Sequence, residues 1–339
     1  MFEEACFMKL AILGTGFIVH EGALPALQSV PEIEVTAIFA RPRSKEKADA
    51  LAVKYAIPQV YTDYDELLFS ADVDFVYMGL TNSVHYEYAK KALMAGKHVI
   101  MEKPFASTVA EVEELRDLAL ARHLYMFEAV TLLHTPNFQA IWETLPKLGK
   151  IKAVQANYSQ YSSRYDKYLA GVVQPAFDPE LSGGALYDIN IYNLNLIIGL
   201  FGEPKDAVYM PNIGFNGIDT SGILMLQYPG FTATALGAKD SESPCFATVQ
   251  GEKGWLRTIG APNELKAFEV SLHGSKTTTR YELNRYNHRM VHEFQAFAKM
   301  YQEEDYAGME KGLNVSVAVM KTAEKARKAA GIVFGCDKQ

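Results

Sequence analysis

Two separate segments of the sequence carry side chains that could move a proton during alcohol–carbonyl interconversion. The stretch "MEKPFAS" places Lys103 at the end of a predicted strand, and "GGALYDINIYNLN" places Asp188 and Tyr192 four residues apart on a predicted helix. Residues four apart share one helix face, so both side chains can point into the same pocket. An ammonium group stabilises a developing alkoxide and lowers the pKa of a neighbouring hydroxyl, so that a phenol can serve as general acid/base. Taken alone, the same residues also fit a solvated lysine and tyrosines packed in a core.

A glycine-containing loop near the start of the chain has the form of a phosphate-binding turn. In "GTGFIVHEGALPAL", Gly14 permits a tight turn and Gly16 lets the backbone approach a pyrophosphate. The helix predicted to start near Phe17 and Ile18 offers N–H groups and a positive dipole end to the phosphates. Val19 stands where such loops usually carry a third small residue, and we expect it to push the helix slightly outward without closing the cradle. An ordinary strand-to-helix turn is the alternative, because a lone G-x-G is a weak signal.

The end of the second predicted strand is basic. The stretch "FARPRSKEK" contains Arg41, Arg43 and Ser44, and no acid occurs there before Glu46. An acid at this position holds the ribose hydroxyls of NAD, whereas an arginine accommodates the 2′-phosphate of NADP. The pattern predicts NADP as the preferred coenzyme, with NAD as the second choice. A solvated turn is the alternative interpretation.

The predicted elements change character along the chain. Up to about residue 128, apolar strands (9–13, 34–40, 74–79, 98–103 and 124–129) alternate with helical patterns, which predicts a Rossmann-type, doubly wound parallel sheet. From about residue 150, consecutive strands joined by short turns predict an α+β domain with an open, mostly antiparallel sheet and helices on one face. We therefore expect an NAD(P)-binding domain over 8–128 and a substrate-binding and dimerisation domain over 129–339. The terminal helix of the second domain is expected to be able to pack back on the first.

Three of these segments together resemble one known family. "GTGFI", "TNSVHYEYAKKALMAGKHVIMEKP" and "GGALYDINIY" resemble the glucose–fructose oxidoreductase / inositol dehydrogenase (Gfo/Idh/MocA) family, in layout from about Met8 to the C-terminal helices. The E-K-P tripeptide with a downstream G-G-x-L-x-D is far more specific than the glycine loop. The resemblance implies that Lys103 lies beside the nicotinamide ribose, orients the substrate and helps to move the proton that accompanies hydride transfer.

The same resemblance implies roles for the second segment. Many members carry a histidine four residues after the aspartate of G-G-x-L-x-D, whereas this chain has Tyr192 there. The tyrosine version is similar to the subgroup that contains glucose–fructose oxidoreductase and the dimeric dihydrodiol dehydrogenases. We therefore expect Tyr192 to be the general acid/base, with Lys103 lowering its pKa. Asp188 would hydrogen-bond the substrate hydroxyl or orient the lysine.

Four further residues are expected at the coenzyme. The resemblance places Thr81, Asn82 and His85, which follow the third strand, in a loop against the coenzyme, and Glu102 beside the pocket. His85 also fits a helix-capping or packing role.

Composition excludes several other classes of protein. The 339 residues carry a net charge of −7 with dispersed Lys and Arg, which argues against a nucleic-acid surface. No run approaches the ~20 apolar residues that a membrane span needs. Three scattered cysteines (Cys6, Cys245 and Cys336) fit no metal spacing and favour a reducing, cytoplasmic compartment. His288 and His292 have metal-like spacing but no third candidate nearby, so we predict no metal site.

These patterns predict an oxidoreductase that moves a hydride between the nicotinamide and a hydroxyl or carbonyl carbon of a sugar, polyol or dihydrodiol. We expect a homodimer formed through the open sheet of the second domain, without nucleic-acid or membrane partners. A catalytically silent coenzyme-binding sensor is the second hypothesis, because fold does not fix function. A redox-assisted, NAD-dependent glycoside hydrolase is the third.

Overall fold

The computed structural model describes residues 8–338, and these divide into two compact units. The first unit comprises residues 8–106, 110–129 and 288–314. The second comprises 107–109, 130–287 and the remainder from 315. Each unit is built on its own sheet.

The sheet of the first unit has six parallel strands in the order β3-β2-β1-β4-β5-β6. Every residue of β4 is buried, as expected for a strand with helices on both faces. The strand order reverses between β1 and β4, and ligands of such sheets bind beyond the carboxyl ends of the strands at that point. The predicted doubly wound Rossmann domain is confirmed. Its strands are β1 Met8–Leu13, β2 Ile33–Phe39, β3 Gln59–Tyr61, β4 Phe75–Met78, β5 His98–Glu102 and β6 Met126–Ala129.

Helices connect these strands, and the first of them is irregular. It opens with a π-helical turn, Ile18–Ala23, and continues as α1, Leu24–Leu27. The following helices are α2 Lys45–Tyr55, α3 Tyr64–Ser70, α4 His85–Met94 and α5 Val109–Ala121. β3 and α3 could not be predicted from the sequence, because a three-residue strand and a seven-residue helix are too short to show a clear period.

The sheet of the second unit has eight strands in the order β14-β13-β12-β11-β7-β10-β9-β8. All neighbours are antiparallel except β7 and β10, which are parallel. This confirms the predicted open, mostly antiparallel sheet. Its strands are β7 Ile151–Ser159, β8 Asp206–Ile213, β9 Asp219–Tyr228, β10 Phe231–Ala238, β11 Phe246–Gly251, β12 Gly254–Ile259, β13 Ala267–Leu272 and β14 Thr279–Tyr281.

The helix that carries the predicted acid/base residues covers one face of this sheet. A π-helical turn, Leu186–Asn190, leads into the helix Ile191–Phe201, and both lie against β7 and β10. Gly237 of β10 makes this approach possible, because a Cβ there would lie 2.5 Å from the Cβ of Asn190. The remaining helices, in chain order, are α6 Pro136–Thr144, α7 Tyr165–Leu169, α8 Ile191–Phe201, α9 Val291–Gln302 and α10 Tyr306–Ala329.

The opposite face of the sheet exposes apolar side chains near one edge. Val208 and Met210 of β8 pair across the strands with Met225 and Ile223 of β9, and all four are exposed. Between residues 8 and 338, no helix combines the length and apolar character needed to cross a bilayer.

Candidate active site

The glycine loop after β1 has the geometry that the sequence predicts. Gly14 has φ +103°, a conformation that L side chains rarely adopt, and a Cβ there would lie 2.5 Å from the carbonyl oxygen of Gly79. A Cβ on Gly16 would meet no atom within 4 Å, so open space borders the backbone at this position. The Gly16 carbonyl accepts hydrogen bonds from the N–H groups of Val19 and His20, at 3.1 and 3.0 Å, which starts the helix.

Val19 is accommodated by a glycine from another strand end. Its side chain is fully buried, and a Cβ on Gly79, just after β4, would overlap the Cγ2 methyl of Val19. The small residue missing from the glycine loop is therefore supplied by Gly79. Sequence reasoning missed Gly79 because the contact joins residues 60 positions apart.

A cavity of about 390 Å³ opens beside the loop. The π-helical turn contributes one wall and α2 the other, and three of the lining side chains can carry positive charge. The lining residues are Thr15, Gly16, Phe17, His20, Lys47, Ala50, Leu51 and Lys54.

The basic stretch after β2 is exposed. Arg41 has an extended backbone and precedes a 3₁₀ turn, Pro42–Ser44, that leads into α2. Both Arg41 and Arg43 are exposed, whereas Ser44 is half-buried. The exposed Arg41 thus lies two residues beyond the carboxyl end of β2.

His85 joins the loops that follow β4 and β5. Its imidazole is fully buried, with Nδ1 3.1 Å from the carbonyl oxygen of Pro104 and Nε2 3.2 Å from that of Leu80. Burial lowers the pKa of His85. These contacts match the packing alternative. Thr81 lies in the loop after β4 and precedes the 3₁₀ turn Asn82–Val84, which leads into α4.

The E-K-P segment lies at the carboxyl end of β5, as the sequence predicts. Glu102 is buried, accepting a hydrogen bond from the Tyr77 hydroxyl at 2.6 Å and one from the Lys103 backbone N–H at 3.3 Å. Burial raises the pKa of Glu102, while the bond from Tyr77 and the charge of Lys103 oppose the rise. The side chain of Lys103 is half-buried, and the following peptide bond to Pro104 is cis.

In the second unit, Asp188 forms an ion pair that the sequence did not reveal. The Lys239 ammonium lies 2.6 Å from Asp188 Oδ2 and also donates to the carbonyl oxygen of Ala176 at 2.6 Å. It lies 4.3 Å from the centroid of the Phe177 ring. The Lys239 side chain is 3% exposed and that of Asp188 is 36% exposed, so the cation of the pair is buried and the anion is partly exposed.

Tyr192 follows on the same helical segment. Asp188 belongs to the π-helical turn and Tyr192 to α8, so their four-residue spacing crosses a junction between two helix types. The Tyr192 side chain is buried, and its ring centroid lies 5.9 Å from that of Tyr158 on β7.

Polar side chains fix the π-helical turn to the sheet. The buried carboxylate of Asp219 accepts hydrogen bonds from the Leu186 backbone N–H and the Tyr209 hydroxyl, both at 2.7 Å. Asn190 and Asn193 donate to the carbonyl oxygens of Ala235 and Leu236 on β10. The two asparagines are therefore structural residues of the site.

Tyr158 also lines a polar cavity of about 620 Å³ in the second unit. Hydroxyl, amide and carboxylate groups dominate its wall. The lining residues are Tyr158, Ser159, Gln160, Glu242, Ser243, Pro244, Cys245, Ala261, Asn263 and Glu264. Ser159 and Gln160, at the end of β7 and just after it, thus border a ligand-sized space.

His288 and His292 do not lie on the same helix. His288 precedes α9, where its Nε2 lies 3.4 Å from the Glu21 carbonyl oxygen, and His292 is buried within α9. Within residues 8–338, no group of three His, Cys, Asp or Glu side chains could hold a metal ion. Within residues 8–338, neither Cys245 nor Cys336 is in a disulfide bond, and Cys6 lies outside the described residues.

The fold and the glycine turn define a dinucleotide-binding domain joined to a separate antiparallel-sheet unit. Residues 8–129 match the family described as "Oxidoreductase family, NAD-binding Rossmann fold", and residues 146–257 match the "GFO/IDH/MocA C-terminal domain". The chain belongs to the Gfo/Idh/MocA family and is an NAD(P)-dependent oxidoreductase. The resemblance of its three motifs to this family is thereby confirmed.

Relatives match over almost the whole chain. The chain is 33% identical to scyllo-inositol 2-dehydrogenase (NADP(+)) IolU of Bacillus subtilis, over 97% of this chain and 99% of that protein. It is 26% identical to mouse trans-1,2-dihydrobenzene-1,2-diol dehydrogenase, over 98% and 99% of the two chains. Among solved structures, the 3-ketoreductase KijD10 of Actinomadura kijaniata is 22% identical, with a TM-score of 0.81 over 94% of this chain and 98% of that one. This last likeness shows the shared fold.

Proposed function

We propose that this protein transfers a hydride between the nicotinamide of NADP and a hydroxyl-bearing or carbonyl carbon of a neutral sugar, polyol or dihydrodiol. The coenzyme supplies the hydride chemistry. In the oxidative direction, Tyr192 accepts the hydroxyl proton as hydride leaves the same carbon, and it returns a proton to the oxygen in reduction. Lys103 stabilises the negative charge that develops on the substrate oxygen. The packing of Tyr192 against Tyr158, at the wall of a polar cavity, carries this proposal.

The proposed coenzyme site follows the loops of the first unit. Gly14, Gly16, Phe17 and Ile18 would hold the pyrophosphate through the turn and the helix start. The groups proposed for the 2′-phosphate are Arg41, Arg43 and Ser44. Those proposed near the nicotinamide half are Thr81, Asn82, Glu102 and Lys103.

His85 is assigned an indirect part in this site. Because its imidazole is buried between two carbonyl oxygens, we propose that it positions the loops after β4 and β5. The preference for NADP is supported by the exposed arginines after β2 and by the coenzyme in the name of the Bacillus relative.

The charge of the cavity wall supports a neutral substrate. Glu242 and Glu264 contribute carboxylates, and none of the ten lining residues is Lys, Arg or His. At this wall a phosphorylated substrate would meet like charges, whereas sugar hydroxyls can donate to carboxylate and amide oxygens. The Bacillus relative is named for scyllo-inositol, a neutral polyol.

We further propose a division of labour and an assembly. Residues 8–128 bind the coenzyme, and residues 129–339 bind substrate and form a homodimer through the outer face of the second sheet. Four exposed apolar residues in paired positions on β8 and β9 support this interface, because such patches mark association sites. A Met210→Glu/Ile223→Glu variant should then sediment as a monomer. Val53→Glu, a control at an exposed apolar position on α2, should keep the wild-type mass. We also propose a reducing, cytoplasmic location, which is supported by the reduced state of Cys245 and Cys336.

The proposed activity can be tested with a substrate panel. NADP and NADPH would each be incubated with the protein and with scyllo-inositol, aldoses, inosose-type ketones, dihydrodiols and the matching sugar phosphates. We expect a change in absorbance at the nicotinamide band with neutral members and at least about tenfold lower kcat/KM with their phosphates. NADPH binding without turnover of any panel member would indicate a silent sensor. Tightly bound NAD that copurifies would favour the glycoside hydrolase instead.

A further inference from the structure

Lys239 is held in a setting that only specific partners make favourable. Its side chain is almost completely buried just after β10, where an isolated ammonium would be strongly destabilising. The Asp188 carboxylate, the Ala176 carbonyl oxygen and the face of the Phe177 ring together compensate for lost water. A substitution of Asp188 should therefore destabilise the buried Lys239 ammonium, because it removes the paired carboxylate.

The two ends of the ion pair differ in access. The cation is enclosed, whereas a third of the Asp188 side chain reaches solvent. A carboxylate that is held by a buried cation and is partly exposed to solvent is a preorganised acceptor for a hydroxyl group. Asp188 also lies four residues before Tyr192, the proposed acid/base.

The backbone around this pair is rigidly attached to one strand. Carbonyl oxygens of β10 accept hydrogen bonds from Asn190 and Asn193, and Lys239 immediately follows the same strand. The Asp188 carboxylate is thus held by Lys239, next to β10, and the helical segment is held by the backbone carbonyl oxygens of β10. A rotation of Asp188 would have to break the ion pair.

We propose that Lys239 is a positioning residue, which holds Asp188 ionised and oriented to accept a hydrogen bond from a second hydroxyl group of the substrate. This inference rests on the proposed function and narrows its substrate class to molecules with a hydroxyl next to the reacting carbon. Neighbouring titratable groups are the buried Asp219, its partner Tyr209, and Asp240, the residue after Lys239. Burial raises the pKa of Asp219, and the charge of Lys239 is among the influences that oppose the rise.

A double-mutant cycle tests this role. Lys239→Met, Asp188→Asn and the double variant would be compared for KM, kcat and thermal stability, with the best substrate of the panel and with its analogue lacking the adjacent hydroxyl. We expect Lys239→Met to raise KM for the diol substrate about tenfold and to change kcat less than about threefold. In the Asp188→Asn background the same change should alter KM by less than about twofold, because the shared interaction is already lost. NADPH affinity should be unchanged.

Equal effects of Lys239→Met in both backgrounds would overturn the proposal and leave Lys239 as packing for Ala176 and Phe177. Equal effects on the substrate and its deoxy analogue would overturn it as well. Lys239→Arg keeps the charge and should restore most of the KM if Lys239→Met folds poorly.

A measurement without turnover separates this proposal from the proposed function. In protein labelled with ¹³C at the Asp carboxyl groups, Asp188→Asn identifies the Asp188 resonance. We expect Lys239→Met to raise the Asp188 pKa by about one unit or more, since a cation at this distance favours the carboxylate. An unchanged Asp188 pKa would overturn the positioning role. An inactive panel would instead overturn only the proposed reaction.

Discussion

The Cγ2 methyl of Val19 fills the space that a side chain on Gly79 would need. The two residues belong to the helix after the first strand and to the end of the fourth strand. The backbone carbonyl oxygen of Gly79 also lies against Gly14, so the end of β4 approaches the glycine turn closely, and the missing side chain of Gly79 makes room for Val19.

Substitution of Gly79 should disturb coenzyme binding. In Gly79→Ala, the new methyl would overlap Val19 and would lie 3.1 Å from both the Leu13 carbonyl oxygen and a Tyr77 ring carbon. We expect a loss of about 1–3 kcal/mol in the free energy of unfolding and about tenfold weaker NADPH binding by fluorescence titration. Gly79→Ala/Val19→Ala should recover part of both losses. No recovery would show that Val19 is not the residue that makes a small side chain necessary at position 79.

The basic turn after β2 should decide between the two coenzymes. Arg41→Ala is expected to weaken NADP binding by about tenfold or more and NAD binding by less than about twofold, because only NADP carries the 2′-phosphate. Arg116→Ala, which removes a guanidinium paired with Asp117 on α5, is the control for a general change of charge and should affect neither coenzyme. Calorimetric titration of both coenzymes checks this. Equal losses for NADP and NAD in Arg41→Ala would contradict a phosphate site.

The half-buried His98 should make the stability of the protein depend on pH. Burial lowers its pKa to about 4, and its Nδ1 accepts the Tyr125 backbone N–H at 2.9 Å. The unfolded chain takes up this proton near pH 6.5 and the folded protein only near pH 4, so unfolding becomes more favourable as the pH falls through this window. His98→Gln keeps an acceptor but does not titrate, and its urea midpoint should fall less between pH 7 and pH 5. Between pH 7 and pH 5, the free energy of unfolding should fall by about 2 kcal/mol more in the wild type than in His98→Gln, by the linkage relation. Parallel pH profiles of the two proteins would be the contrary result.

The 3₁₀ turn Gly335–Lys338 should stabilise the π-helical turn that precedes Tyr192. Arg327 is buried, donates to both Asp337 carboxylate oxygens at 2.5 and 3.0 Å, and stacks on Phe334, whose ring meets Tyr187 edge-on. Arg327→Met leaves the Asp337 charge without its main partner and should cost about 3 kcal/mol of unfolding free energy, as broken buried pairs do.

An exposed pair in the same region provides the control. Lys338→Ala removes the ion pair with Glu180, in which both side chains are largely exposed, and should change the free energy of unfolding by less than about 0.5 kcal/mol. Denaturant unfolding measures both variants. Similar small effects would show that the buried pair contributes no more than a surface pair.

Regular elements with a clear hydrophobic pattern could be predicted from the sequence. The continuous apolar strands β1, β2, β4 and β5 and the glycine turn are local features, so the parallel sheet follows from them. The alternating pattern of β8 to β10 likewise predicts an antiparallel sheet. Short elements such as β3 and α3 carry too few residues for a pattern.

Site residues that act through distant contacts could not be predicted in this way. Lys103, Asp188 and Tyr192 belong to recognisable motifs. Lys239 follows β10 in an ordinary "GAK", and its ion-pair partner Asp188 lies 51 residues away in the sequence. Nor does a sequence show that His85 will be enclosed by two carbonyl oxygens. Sequence patterns thus identify the motif residue but not the partner that contacts it from a distant part of the chain.

The proton-transfer role of Tyr192 is tested most directly by single-turnover hydride transfer in Tyr192→Phe. The phenylalanine keeps the ring packed against Tyr158 and removes only the hydroxyl. We predict that NADPH affinity stays within about twofold of wild type, while the rate of nicotinamide oxidation with the best substrate falls by about 10²-fold or more, the typical contribution of a general acid. A wild-type rate in this variant would contradict the account.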